Sequence, residues 1–439
     1  DVPQKWLLTR EALVALIVVA GLCDVWLGVR AYLSHTEKQT WQDSAAVRAS
    51  RERFVLPEGV IYLDGNSLGA LTVGAERSVA RAVGAQWGVD LIRSWNVHGW
   101  IDYPATLGER VGRLIGAAPG ETLVCDSTSV DLFKLAAAAS LARGARTQIV
   151  TEAGNFPTDL HILQGLAKLL PQIEVLAVPR ERIYEAIGTD TFLVVLTHVH
   201  YRTAEMFDLA EVSARAHAKG ARVLWDLSHS VGAVPVDLQG ANADFAIGCG
   251  YKYLCGGPGA PALLYIHPRW ADAAWPAIAG WMGHADTFAF DADYRPGAGA
   301  DRFLVGTPAV LANAAFSAAA QLWREVDPVA LNQRHCSLTD TLIQLFDEQC
   351  APWPVHLSSP RHHAQRGGHV TLQFHGAAAL AQALVEQGVV VSSRKPDALR
   401  WGVHPLTTTH QQLWSAVQVL RQLLASGTWQ DARFERPVV

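Results

Sequence analysis

A chain of 439 residues, half of them hydrophobic and 18% charged, is long enough for more than one compact unit and apolar enough to bury a core, which excludes a disordered protein. The formal net charge of −5 supplies no basic field for a polyanion, and no run of Lys and Arg interleaved with aromatics appears, so nucleic acid is set aside as a partner. Six cysteines, at 23, 125, 249, 255, 336 and 350, form no C-x-x-C pair and read as small buried hydrophobes in a reducing compartment.

The first element is the apolar run Ala12 to Cys23, which meets Asp24 and continues to Val29. Its uncharged stretch falls short of the roughly 20 apolar residues a spanning helix needs. Residues 1–36 are therefore expected as a packed N-terminal helix, with a membrane anchor as the alternative. Residues 37–85 read as an arm contributing to a small domain. From residue 86 the pattern alternates buried-strand runs with amphipathic stretches. Strands are expected at Gln148 to Thr151, Glu174 to Val178, Phe192 to Thr197 and Ala221 to Asp226, and helices at Ser129 to Ala142, Leu160 to Leu170 and Leu209 to Lys219. Such repetition predicts an α/β fold, a mostly parallel sheet covered by helices, over a large domain at 86–308. After about Thr307 the pattern is mixed: a helix over Ala309 to Glu325, short strands at Val370 to Phe374 and Val389 to Ser392, and a closing helix at Gln411 to Ala425. This predicts a smaller α+β domain at 309–439.

The chemistry is concentrated in two neighbouring units. Asp226 ends an apolar strand in Val223-Leu-Trp-Asp-Leu-Ser-His229, and Lys252 stands in Tyr251-Lys-Tyr-Leu-Cys-Gly-Gly257, ahead of a glycine-rich turn that lets backbone approach a bulky ligand. Ligands of open α/β sheets collect outside the carboxyl ends of strands. Asp126-Ser-Thr-Ser129 precedes a helix, where free N–H groups and the dipole favour a dianion; alone, the same residues are an ordinary N-cap. An amine, a carboxylate and anion donors in this order suit pyridoxal 5′-phosphate (PLP), which needs a lysine for a Schiff base, an acid at its ring nitrogen and donors at its phosphate.

The stretches Tyr62-Leu-Asp-Gly-Asn-Ser-Leu-Gly69, Leu91-Ile-Arg-Ser-Trp-Asn96, Asn155-Phe-Pro-Thr-Asp159, Trp225-Asp-Leu-Ser-His229, Tyr251-Lys-Tyr-Leu254 and Gly280-Trp-Met-Gly-His284 resemble the kynureninase family, fold-type I PLP enzymes, from about Phe54 onward. The resemblance implies that Lys252 carries the cofactor, Asp226 pairs with its ring nitrogen, Phe156 stacks on the ring and His229 lies beside it. It further implies that Thr128, Ser129 and Tyr251 hold the phosphate, with Asp159 and Thr197 among the cofactor's contacts. Trp281 and Thr307 would reach over from the second subunit of a homodimer with a shared active site. Arg400 matches the arginine that grips the substrate α-carboxylate, a task suited to a guanidinium fork.

The implied reaction is hydrolysis of L-kynurenine, or a ring-modified kynurenine, to anthranilate and L-alanine in tryptophan catabolism, in the cytoplasm. Lys252 would be the base as well as the anchor, and Tyr251 a proton donor. Where relatives carry Gly-Asp-aromatic-Arg-Glu-Pro, this chain has Val391-Ser-Ser-Arg-Lys-Pro, which removes an acid; Pro405-Leu-Thr lacks the common tyrosine, and Cys255 replaces an Asn. Two other readings stay open: a cysteine desulfurase or class V aminotransferase on the same scaffold, and a membrane-tethered protein that binds PLP without catalysis.

The remaining eye-catching residues have plainer expectations. Asn66 and Ser67 are either a turn or contacts to the substrate ring. His198 and His200 lack the third ligand a metal needs, so no metal is expected. His362, His363 and His369 read as part of a solvated loop, and most of the fifteen tryptophans as core.

Overall fold

The structure, a computed structural model, describes residues 50–434. The apolar run before Asp24 and the rest of residues 1–36, with either reading of them, lie outside the described residues, as does the start of the arm. Among the described residues no helix is long and apolar enough to cross a membrane.

Seven strands form the large sheet: β1 (Thr122–Cys125), β2 (Gln148–Glu152), β3 (Glu174–Val178), β4 (Thr191–Thr197), β5 (Arg222–Asp226), β6 (Phe245–Gly248) and β7 (Ala262–Ile266). Their order is β1-β7-β6-β5-β4-β2-β3, parallel throughout except that β7 runs antiparallel to both neighbours. The strands are apolar runs because both faces are covered. Val194, Leu196, Val223 and Trp225 enter one core, while the alternate residues Leu193, Val195 and Leu224 enter the core on the other face.

The main helices in chain order are α1 (Val73–Arg81), α2 (Tyr103–Gly112), α3 (Thr128–Leu141), α4 (Pro157–Leu169), α5 (Leu209–Ala218), α6 (Val310–Trp323), α7 (Pro328–Cys350), α8 (Ala377–Glu386) and α9 (His410–Ser426). Helix α6, read from sequence as part of the small domain, buries Phe316, Ala319 and Trp323 in the large sheet's core.

A second sheet joins β8 (His356–Leu357), β9 (His369–Gln373), β10 (Ser392–Arg394) and β11 (Ala398–Gly402) in the antiparallel order β8-β9-β11-β10. One face, carrying Val370, Leu372, Leu399 and Trp401, packs with Leu342 of α7, Leu384 of α8 and Leu420 of α9. The period of two then places His369, Thr371, Arg400 and Gly402 on the opposite face, where His369 pairs across from Gly402 and Thr371 from Arg400. The run expected as one strand at Val389 to Ser392 divides. Val389–Val390 pairs in parallel with Ile61–Tyr62, and Ser392 begins β10.

Two expectations are corrected. His369 is not in a solvated loop with His362 and His363; it is completely buried on β9, because its strand lies between β8 and β11 with that face turned inward. Among the described tryptophans, Trp100, Trp225, Trp323 and Trp401 are buried, Trp270, Trp353 and Trp429 pack partly buried against the cores, and Trp87, Trp275 and Trp281 are exposed, so fewer are fully core than expected.

Candidate active site

The carboxyl ends of the parallel strands bring the candidate residues together. Asp226 closes β5 and Thr197 closes β4; Asn155 follows β2, and the Lys252 turn follows β6. This turn is held from outside the sheet. The Gly69 N–H donates to the Tyr251 carbonyl at 2.8 Å, and a Cβ at Gly69 would overlap the Lys252 carbonyl oxygen and come within 2.6 Å of Cys255 Cα. Glycine is therefore required where the Asp64-Gly-Asn-Ser-Leu-Gly69 segment crosses the lysine loop.

Lys252 Nζ lies 3.3 Å from His229 Nε2 and 6.0 Å from the centre of the Phe156 ring. Phe156 stands at the start of α4, partly exposed, with its ring edge-on to Tyr201 at 5.4 Å. On the deep side Asp226 takes the Ser228 N–H at 2.7 Å and contacts Asp159, which takes the Thr197 hydroxyl at 3.4 Å. Both aspartates are 4% exposed. Burial first, and then the charge of Asp226, hold the Asp159 carboxyl well above the ordinary carboxylate range, with Lys252 pulling the other way. Among the described residues no cationic side chain makes an ion pair with either carboxylate. Two touching buried carboxyls without a cation are poorly balanced, and a protonated ring nitrogen between them and the lysine is the group that would balance them. The residues present therefore fit PLP.

Around the N-terminus of α3, Ser127 accepts from the Val130 N–H at 3.4 Å as the N-cap. Thr128 Oγ1 is 3.5 Å from Cys249 Sγ, which donates to Ser228 Oγ at 3.2 Å and also meets the Tyr251 hydroxyl. Burial raises the Tyr251 hydroxyl above its usual range. Thr128 and Ser129 thus open α3, whose N-terminus suits an anion, and Tyr251 is joined to Thr128 through Cys249. Sequence reasoning missed Ser228 and Cys249, whose only signal was their place next to Asp226 and Tyr251.

On the other side stands Arg400, 1% exposed. It donates to the Tyr201 carbonyl at 2.9 Å, to Ser67 Oγ at 3.0 Å and to Ser392 Oγ at 3.0 and 3.3 Å. Burial pushes its pKa down to about 10, the neighbouring Arg394 adds to that, and Asp64 opposes it. Ser67 also donates to Asp64 at 2.8 Å, so it orients the guanidinium. Asn66 is buried, and its backbone oxygen lies 3.0 Å from His229 Nε2. The two residues are joined to the site and are more than a turn.

Trp281 and Thr307 stand elsewhere. The Trp281 indole lies beside Gly306 and the Phe288 ring, both residues are exposed, and none of the described contacts joins them to Lys252. His198 bonds Ser230 at 2.9 Å, with its pKa lowered to about 4 by burial, and His200 bonds the Gly154 carbonyl at 2.9 Å. Among the described residues one group, Cys125, Asp126 and Asp131, has metal-like spacing, and the Lys134 ammonium already pairs with both aspartates there.

The chain is similar to known proteins both in sequence and in fold. Residues 331–420 match the family described as the kynureninase C-terminal domain. The chain is 44% identical to a kynureninase of Pseudomonas fluorescens over 400 residues, covering 90% of this chain and 96% of that one. It is 44% identical to a kynureninase of Deinococcus radiodurans, covering 85% and 92%. Among solved structures, the apo cysteine desulfurase of Thermococcus onnurineus superimposes with a TM-score of 0.75 at 19% identity, covering 88% of this chain and 99% of that one. The cysteine desulfurase CsdA of Escherichia coli gives 0.72 at 20%, covering 87% and 100%. At such identities these two show the fold alone.

Proposed function

Since this chain belongs to the kynureninase family, we propose that it hydrolyses L-kynurenine to anthranilate and L-alanine with PLP, in tryptophan breakdown in the cytoplasm. What supports the reading is that the Lys252 amine stands 3.3 Å from His229 and acts electrostatically on Asp159, which touches Asp226. When bound, PLP supplies an electron sink that allows the bond between the substrate's β and γ carbons to break.

The chain's own residues do the rest. Asp226 would hold the cofactor's ring nitrogen and favour its protonated form, and Phe156 would pack against the ring. Arg400, oriented by Ser67 and Ser392, takes the α-carboxylate through parallel N–H donors. Lys252 Nζ removes the proton from the substrate's α carbon. The Tyr251 hydroxyl, whose high pKa keeps its proton in place, delivers a proton to the β carbon. Trp281 and Thr307 close the site of the partner subunit in a homodimer, which accounts for their exposure in the isolated chain.

The desulfurase reading is disfavoured by its own requirement. That chemistry needs a thiol on a mobile loop, whereas among the described cysteines Cys125, Cys249, Cys255 and Cys350 are buried and Cys336 is half-buried inside α7. The test is to follow anthranilate fluorescence after adding L-kynurenine to the purified enzyme, with 3-hydroxykynurenine and L-cysteine in parallel. Release of anthranilate supports the reading; a PLP-loaded enzyme that releases none, or that desulfurates cysteine, overturns it.

A further inference from the structure

Three buried polar side chains next to Lys252 carry hydrogen-bonding atoms that the protein itself does not use. Asn66 and His369 are completely buried and His229 nearly so. Both amide atoms of Asn66, both ring nitrogens of His369 and Nδ1 of His229 have no partner. Buried donors and acceptors are costly to leave unmade, and so many in one place point to a ligand.

They form one cluster. The His229 and His369 rings are 5.6 Å apart. His369 pairs across from Gly402, and the Asn66 side chain lies against that same glycine, where a Cβ would overlap Oδ1 and come within 2.8 Å of Cγ. His229 Nε2 closes the group, 3.0 Å from the Asn66 carbonyl and 3.3 Å from Lys252 Nζ. Arg400 is two residues from Gly402 along β11, about 7 Å away.

The donor and acceptor pattern follows from the partners. A backbone carbonyl only accepts, so His229 Nε2 carries the hydrogen and Nδ1 is a bare acceptor. Burial, reinforced by the charges of Lys252 and Arg400, keeps both imidazoles neutral. His369 then offers one donor and one acceptor, and the Asn66 amide offers both kinds.

We propose that Asn66, His229 and His369 form the subsite for the oxygen on the substrate's γ carbon, and that it fits the hydrated ketone better than the ketone. This deepens the functional reading above and rests on it: the cluster adjoins both the Lys252 amine, 3.3 Å from His229, and Arg400, two residues from Gly402 on β11. A ketone oxygen accepts only, whereas the two hydroxyls of the hydrate donate and accept. Stronger binding of the later species is what accelerates the step. In hydration the water oxygen bonds to the γ carbon as the carbonyl π bond opens. A bare imidazole nitrogen takes one proton from the water, and an imidazole N–H gives one to the carbonyl oxygen, so no further reagent is needed.

The test uses the PLP-loaded enzyme and calorimetric binding of two amino acids, homophenylalanine and its γ-hydroxyl derivative, which differ by the one oxygen in question. The native enzyme is expected to bind the hydroxylated compound about tenfold tighter. His369→Phe removes most of that preference while the affinity for homophenylalanine stays within about twofold, and His369→Gln, which keeps a donor and an acceptor, restores part of it. Thermal melting and cofactor absorbance establish that each variant is folded. Equal binding of the two compounds by the native enzyme, or a preference that survives in a folded His369→Phe, overturns the proposal. If that variant does not fold, Asn66→Ala decides in its place, and an unchanged preference there rejects the subsite. Failure to bind either compound by an enzyme that releases anthranilate from L-kynurenine rejects the subsite, whereas an enzyme that releases none removes the functional reading instead.

Discussion

Ser392 accepts twice from a single guanidinium, at 3.3 Å from Arg400 Nε and 3.0 Å from Nη2. Kynureninases commonly carry an aspartate at this position of the motif. A hydroxyl orients the fork without neutralising it, so among the described residues an acid near Arg400 is Asp64, which reaches it through both Ser67 and Ser392.

Ser392→Ala removes both accepted bonds and frees the fork to rotate. Steady-state kinetics on L-kynurenine should show KM raised about tenfold with kcat within about threefold, the signature of lost ground-state positioning. An unchanged KM would show that Tyr201 and Ser67 orient Arg400 without it.

Asp159 makes the cofactor-free protein pH-sensitive. Its folded carboxyl keeps a proton above the ordinary value of 3.8, where the unfolded chain releases it. The native state then binds more protons, so stability falls as pH rises through that window. Asp159→Asn abolishes this loss. Melting of the cofactor-free protein should show the variant about 2–4 °C more stable at neutral pH, with the gain shrinking toward pH 4. A constant gain at all pH values would argue for packing instead of charge.

Gly69→Ala drives a methyl into the Lys252 carbonyl and Cys255 Cα. Overpacking of this kind costs about 1–3 kcal/mol. The lysine loop moves, so a lower melting temperature is expected together with weaker PLP binding in an absorbance titration. Gly84, which has open space around its Cβ direction, is the control, and Gly84→Ala should leave PLP binding unchanged.

Lys252→Ala should abolish the visible absorbance of the lysine-linked cofactor, and Trp281→Ala should weaken cofactor binding through the neighbouring subunit. If the site is shared, mixing the two variants under PLP too dilute to load Trp281→Ala alone creates heterodimers with one intact site, and activity recovers toward about a quarter of native. No recovery, with heterodimers demonstrated by mass spectrometry, would place Trp281 outside the active site.

Four of the seven strands of the large sheet were legible because burial on both faces writes continuous apolar runs, as at Phe192 to Thr197, and the helices called beside them because their period differs. The small sheet was harder. The splitting of Val389 to Ser392 between two partners depends on Ile61–Tyr62, more than 300 residues away, and no local pattern encodes such pairing. The core that receives helix α6 was hidden for the same reason, since an apolar stripe does not say where it will pack.

Sequence alone determined the chemical types: an amine in a glycine-rich turn, an acid at a strand end, hydroxyls ahead of a helix, and motifs held in common with one family. Side-chain type and short-range spacing are local properties, so they can be read along the chain. Only the tertiary structure decided that His369 faces His229, that Asp159 touches Asp226, and that Ser67 and Ser392 hold Arg400. Apart from the Ser392–Arg400 contact across one strand pair, these contacts join segments far apart in the chain, and they exist because two separate cores bring one polar sheet face against the carboxyl ends of another sheet.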